Sequence, residues 1–297
     1  MNNKKIRILV LMLLCAVLLV SAACADTGPK PSVSVRFINL GDEPCYATLL
    51  SKYESTGPHH VWEGSEETAE YAENMDYASF SYDIWKAFVD YEDDDGFYFL
   101  QEGWQIDETK EFTWGYYPPD VFKLLLYFPE SGTFAVSDIC ETYAFESAYA
   151  VDMKDFALTP GSPDTGKITL SESYEYGSEI LGLIGRIVLT LAVELGIALL
   201  FGYRAKKQLW FIAWVNLATQ TILNVLVNTV NYHEGALTAM LLLIFGEFVV
   251  FVLEAVIYGI CLGKRGEQHY SAGRAVLYAL TANLVSFAVG RLPIFFG

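Results

Sequence analysis

The chain has 297 residues, with 36 Asp and Glu against 19 Lys and Arg and a formal net charge of −17. Residues 26–178 alone hold 30 acidic against 8 basic side chains, a charge of −22, which excludes a nucleic-acid partner because its phosphates would be repelled. Past Gly177 charges become sparse and long apolar runs begin, so two unlike parts are predicted, an acidic water-soluble one and a membrane one.

At the N-terminus, Lys4, Lys5 and Arg7 precede an unbroken apolar run, Ile8–Val20, and Ala23-Cys24-Ala25 offers a cleavage site before Asp26. This is the pattern of a secretory signal peptide over 1–25, with an apolar run too short for a spanning helix of about 20 residues. Lipoprotein processing at Cys24 and an uncleaved anchor are the alternatives; Ser21 stands where lipoprotein processing expects a bulky aliphatic residue. Export leaves Cys45 and Cys140 in an oxidising compartment, where one disulfide between them is expected.

The exported part is expected to cover residues 26–156. Val33, Val35 and Phe37 alternate with polar residues as in a half-buried strand, and CYATLL (Cys45–Leu50) reads as a second strand after a turn at Asn39–Asp42. Ser55-Thr56-Gly57-Pro58 breaks the chain, and His59-His60 has no spaced partners to make a metal site. Ile84, Trp85, Phe88 and Val89 fall at helical spacing and predict a short amphipathic helix packed on the sheet. In the acidic run that follows, Asp93, Asp95, Gly96 and Glu102 occupy positions 3, 5, 6 and 12 of a calcium loop. Tyr91 stands at position 1, where a carboxylate is required, so Asp93, Asp95 and Glu102 are a weak calcium candidate beside the plainer reading of a solvated turn.

FYFLQEGWQI is read as a strand, FTWGYYPPD as a loop fixed by Pro118-Pro119, and VFKLLLYF (Val121–Phe128) as a central strand returning through Pro129–Gly132 into TFAVS. Short aromatic strands separated by turn signals predict a mostly-β domain, sandwich-like or α+β. Residues 157–178 are expected to be a linker and pre-membrane segment.

Residues 179–297 predict a four-helix transmembrane domain, with spans near 179–203, 208–231, 236–262 and 275–296. Arg204, Lys206 and Lys207 follow the first span and Lys264, Arg265 and Arg274 the third, whereas the loop between spans two and three has no Lys or Arg. The positive-inside rule then sets the first and third loops in the cytoplasm and leaves the large N-terminal domain and the C-terminus outside. Glu194, Asn216, Glu254 and Asn283 all lie about eight or nine residues from the cytoplasmic end of their spans, an inner polar layer; Arg186, Asn224, Glu247 and Arg291 form an outer one. A Glu followed by a basic turn recurs in spans one and three, and an Asn-Leu pair in spans two and four, which suggests two parallel helix-hairpin repeats.

An ionisable group inside a membrane costs roughly 2.5–3.5 kcal/mol on insertion scales and is a functional candidate, although a polar interior that only glues helices together is the equal alternative. No Ser/His/Asp or Cys/His set, nucleophile elbow or phosphate loop is present, and no His lies within a span, so an enzyme is the weakest of three readings. The first is an extracytoplasmic binding or sensing domain on a polar-cored membrane base, working with a membrane-protein partner or a second copy and an extracellular ligand. The second is a small ion, proton or solute transporter or channel component using the intramembrane Glu and Asn. No cofactor is implied beyond the calcium candidate.

Overall fold

The computed structural model describes residues 28–64, 81–154, 156, 165–262 and 271–290. The expected signal peptide with Cys24, and Arg291, lie outside the described residues. The chain divides into two compact units, Lys30–Tyr174 and a second formed by Glu175–Gly297 together with the N-terminal residues.

The first unit is built from two sheets. Strand β1 (Ser32–Ile38) buries Val33, Val35 and Phe37 on one face, as its alternation dictates. It pairs in parallel with β11 (Glu146–Asp152) and antiparallel with β7 (Glu111–Trp114), and β13 (Ser171–Glu172) closes the other edge. The second sheet runs β12 (Gly166–Ile168), β9 (Thr133–Ser137), β8 (Val121–Phe128), β2 (Tyr46–Ser51) and β5 (Tyr98–Phe99), with β10 (Cys140–Glu141) against β8 and β6 (Trp104–Gln105) against β2. Apolar side chains of both sheets meet in one core: Val33, Val35, Phe112, Trp114 and Tyr149 from the first, Leu49, Phe122, Leu124, Leu126 and Phe128 from the second. This is sandwich packing.

Strand β8 is apolar on both faces because both are covered. Its Leu125 points away from that core into a second cluster, with Leu50, Phe97 and Phe99 and with Ile84, Trp85 and Phe88 of helix α1 (Tyr82–Val89). Burying a side chain such as Phe88, whose ring lies 5.2 Å from that of Phe99, stabilises by about 1.5–3 kcal/mol.

Several expectations for this unit are corrected. Phe112–Trp114, expected in a loop, belong to strand β7, because Glu111–Trp114 alternates and finds the free edge of β1. FYFLQEGWQI is two short strands, divided at Gln101, whose φ of +64° turns the chain. Residues 166–172, expected in a linker, supply β12 and β13, one strand to each sheet.

The disulfide is absent: Cys45 and Cys140 are free thiols. The register gives the reason, since Cys140 sits opposite Phe122 while Tyr46, next to Cys45, sits opposite Tyr127 near the other end of β8. Five residues of strand at about 3.3 Å each exceed the roughly 7 Å that a disulfide can bridge between Cα atoms.

Three helices in the second unit are long and apolar enough to cross a membrane: α2 (Tyr176–Leu200), α3 (Lys206–Cys261) and α4 (Ala272–Val289). Helix α3, 56 residues long, is broken at Gly235, whose φ of 82° and ψ of 171° are non-helical. Thr219 and Glu254, on opposite sides of the break, are hydrogen-bonded at 2.7 Å, so the arms 206–234 and 236–261 fold back on one another. Between α2 and α3, Gly202 takes φ 84° and Tyr203 N–H caps the carbonyl of Ala198. The Arg274 guanidinium reaches the carbonyl of Phe201, placing a cation at the negative end of α2.

Side chains in this unit are distributed opposite to those of a water-soluble bundle. Leu200 is 85% exposed and Leu181 71%, while Gln220, Asn224, Glu254 and Asn283 are buried. Water would expel that apolar surface; lipid accepts it and rejects the polar groups into the interior.

Candidate functional site

The four residues expected in the inner polar layer lie in the interior of the helical unit, with Glu194, Asn216 and Glu254 each 0% exposed and Asn283 6%. Each comes from a different helical segment: α2, the first arm of α3, its second arm, and α4. The carboxylate of Glu254 is well held, Oε1 accepting from Thr219 Oγ1 at 2.7 Å and Oε2 from Asn283 Nδ2 at 2.8 Å. Asn216 Nδ2 donates to the Tyr258 hydroxyl at 2.8 Å and to the carbonyl of Ile212 at 3.1 Å. Asn283 Nδ2 also donates to the carbonyl of Ala279 at 3.0 Å. Because those carbonyls, one turn back, can only accept, they fix which end of each amide is nitrogen.

Glu194 is the exception. It neighbours Glu254, Glu247 and Asn216, yet neither carboxylate oxygen has a hydrogen-bond partner in good geometry. Asn216 Oδ1 and Asn283 Oδ1 are buried without partners too. Four buried oxygens therefore accept no well-aligned hydrogen bond: the Asn216 amide lies beside Glu194, but its two N–H groups point to Ile212 and Tyr258. An unmade hydrogen bond to a buried neutral group costs about 1–3 kcal/mol, and more for a charged one. Two carboxylates in one buried cluster also need a compensating proton or cation.

Beside the carboxylates, at the end of the unit that carries residues 201–205, three fully buried tyrosines make an aromatic layer. The Tyr203 and Tyr278 rings are 5.4 Å apart and those of Tyr258 and Tyr278 5.6 Å, and the Tyr278 hydroxyl donates to the Glu194 main-chain carbonyl at 3.3 Å. On the Gly235 side the interior is polar: Gln220, Asn224 and, from α4, Ser286 are buried there.

The outer layer is looser. Asn224 Nδ2 bonds within its own helix, to the main chain and side chain of Gln220 at 2.9 and 3.3 Å. Arg186 Nη2 donates at 2.9 Å to Asn228, a residue the depth count passed over. Glu247 is half-buried.

The calcium candidates Asp93, Asp95 and Glu102 belong to the β unit. Asp93 and Asp95 do converge, but on the ammonium of Lys123, which is 2.8 and 2.9 Å from the two Asp93 oxygens and 2.6 Å from Asp95 Oδ2. A cation supplied by the chain thus pairs with both aspartates. Burial acts to lower the Lys123 pKa, but hydrogen bonds from both aspartates outweigh it and the net shift is upward; the same contact lowers that of Asp95. Glu102 stands elsewhere, 3.3 Å from His59 Nδ1. Among the described residues no group of three or more His, Cys, Asp and Glu could hold a metal ion. His59 Nε2 meets the carbonyl of Tyr116 at 3.0 Å, and its ring lies 5.1 Å from Trp114.

Sequence reasoning missed Thr219, Tyr258, Tyr278 and Lys123. Thr219 was findable, since Asn216-x-x-Thr219 and Asn283-x-x-Ser286 are the same spacing in two segments: Ser286 donates to the Asn283 main-chain carbonyl at 3.1 Å, and Thr219 Oγ1 lies 3.2 Å from that of Asn216 while its hydrogen goes to Glu254. Comparison with protein-family models, curated proteins and solved structures finds no match for the chain.

Proposed function

We propose that this is a small membrane transporter or channel component whose polar interior handles an ion, proton or other small solute. In this reading four helical segments, 176–200, 206–234, 236–261 and 272–289, cross the bilayer and together enclose Glu194, Asn216, Glu254 and Asn283. The β unit stands outside the cell as a binding or sensing domain, and the C-terminus lies on the same side. The observation that carries the reading is the buried Glu194–Glu254 pair, one member of which accepts no well-aligned hydrogen bond, because a purely structural polar core satisfies its members. A two-hairpin repeat is supported by the twice-used arrangement in which an Asn bonds its own i−4 carbonyl and lies beside a Glu of the preceding segment, Asn216 with Glu194 and Asn283 with Glu254.

The alternative, in which the helices are only a base for the extracytoplasmic domain and assemble with a membrane-protein partner or a second copy, predicts no transport by the isolated chain. The test is flux in proteoliposomes under proton and cation gradients. The expected outcome is flux in the wild type and its loss in Glu194→Gln/Glu254→Gln; no flux from folded wild-type protein would favour the base-and-partner alternative.

A further inference from the structure

We infer that the Glu194–Glu254 cluster binds one dehydrated monovalent inorganic cation, ligated by oxygen alone, in competition with protons. The inference rests on the transport reading above and names the substrate class of that site. It starts from a count of acceptors. Glu194 Oε1, Glu194 Oε2, Asn216 Oδ1 and Asn283 Oδ1 are buried and accept no well-aligned hydrogen bond, the Asn216 amide beside Glu194 being directed to Tyr258 and Ile212, while Glu254 already accepts from Thr219 and Asn283. A single proton on Glu194 turns one oxygen into a donor and satisfies at most one further acceptor, so two of the four remain unmet. Water molecules could donate to all four but would leave both carboxylate charges without compensation. A cation among these oxygens needs no donor from them and supplies positive charge.

The ligands select among cations. Carboxylate and amide oxygens are hard donors, suited to alkali and alkaline-earth ions, and the cluster contains no Cys or His for softer metals. Magnesium is disfavoured because it keeps several waters and an ideal octahedron. Between sodium and calcium, the surroundings decide. On the side away from Gln220, Asn224 and Ser286, Ala255, Ala279, Ala282 and the rings of Tyr203, Tyr258 and Tyr278 are fully or nearly fully buried, so the ion must shed its water there. The cost of moving an ion into low dielectric rises with the square of its charge, so it is fourfold higher for a divalent ion than for a monovalent ion of equal radius. A monovalent ion leaves one negative charge on the pair, which a proton balances. The groups facing Glu194 in that exchange are Glu254, Glu247, Tyr258 and Tyr278.

The experiment reads binding, so that it fails separately from transport. The full chain in nanodiscs is melted in sodium, lithium, potassium or calcium chloride against choline chloride at constant ionic strength, between pH 5.5 and 8.5. Sodium is expected to raise the melting temperature saturably over choline, with the half-saturating concentration increasing as pH falls. Glu194→Gln should raise that concentration at least tenfold. Asn283→Ala, which keeps both carboxylates, should raise it severalfold and serves if the Glu194 variant does not fold. Stabilisation by acid alone, abolished in Glu194→Gln, would make the occupant a proton and overturn the cation while leaving the transport reading standing. A shift with calcium and none with sodium overturns the monovalent assignment. A sodium shift undiminished in both variants puts the ion elsewhere, and no response to any cation or to pH overturns the site.

Discussion

Lys123 has the most consequential pairing outside the helices. Its side chain is 5% exposed and that of Asp93 1%, so removing the ammonium strands a buried carboxylate. Lys123→Met should destabilise by about 3–5 kcal/mol, read as a fall in the melting temperature of the β unit within the full chain. The pH dependence follows from Asp95, whose pKa in the folded chain is lowered by Lys123. The unfolded chain binds that proton more readily, so the contribution is present above the ordinary carboxylate pKa and is lost as pH falls through the folded value. Melting should therefore drop on acidification below about pH 4, and Lys123→Met should flatten that part of the profile. The two cysteines provide a further residue-scale check. Burial pushes the thiols of Cys45 and Cys140 up, so intact protein should alkylate slowly at neutral pH. Mass spectrometry after denaturation without reductant should show two free thiols; a Cys45–Cys140 bridge would contradict the strand register.

At the scale of elements, glycine decides how α3 closes on itself. At Gly235 the φ of 82° with ψ of 171° lies in a region that is almost entirely glycine's, so Gly235→Ala should cost about 1–3 kcal/mol and lower the yield of folded protein. Gly246 acts by size instead. A Cβ there would run into the Leu223 side chain across the hairpin, within a cluster of Leu223, Val227, Ala239 and Val250. Gly246→Ala should destabilise, and Leu223→Ala should partly rescue it; additive losses would show that the arms do not touch there. Such elements were legible where the code is local. The alternation of Val33, Val35 and Phe37 marked β1, and the short polar NYHEG stretch marked the place where α3 turns. Strand β7 was not legible, since Gly115 and Pro118-Pro119 just beyond it carry a loop signal and only the free edge of β1 makes Glu111–Trp114 a strand. The Lys123 pairing was not legible for the same kind of reason: the acidic loop lies about thirty residues from the lysine that meets it, and spacing within the loop carries no trace of that partner.

For the whole molecule, the depth of polar residues along each apolar run was enough to collect Glu194, Asn216, Glu254 and Asn283, because lipid forces such groups inward whatever their order in the chain. Depth could not show how each is bonded, which depends on rotation about each helix. The proposed orientation makes a direct prediction. A cysteine replacing His233 should be labelled by an impermeant thiol reagent from outside intact cells, and one replacing Lys207 only after the membrane is opened. Labelling of both from outside would contradict four crossings with the basic loops inside.

The fold-back at Gly235 also bears on how the chain enters the membrane. Taken singly, the arm 236–261 would bring Glu247 and Glu254 into lipid, and each carboxylate near the bilayer centre weighs against insertion by roughly 2.5–3.5 kcal/mol. If the two arms enter together as a closed hairpin, the Thr219 hydroxyl already satisfies Glu254 and the arm is shielded as it leaves the aqueous side. Gly235 would then act during synthesis as well as in the finished fold, and its replacement should yield chains in which the second arm fails to insert.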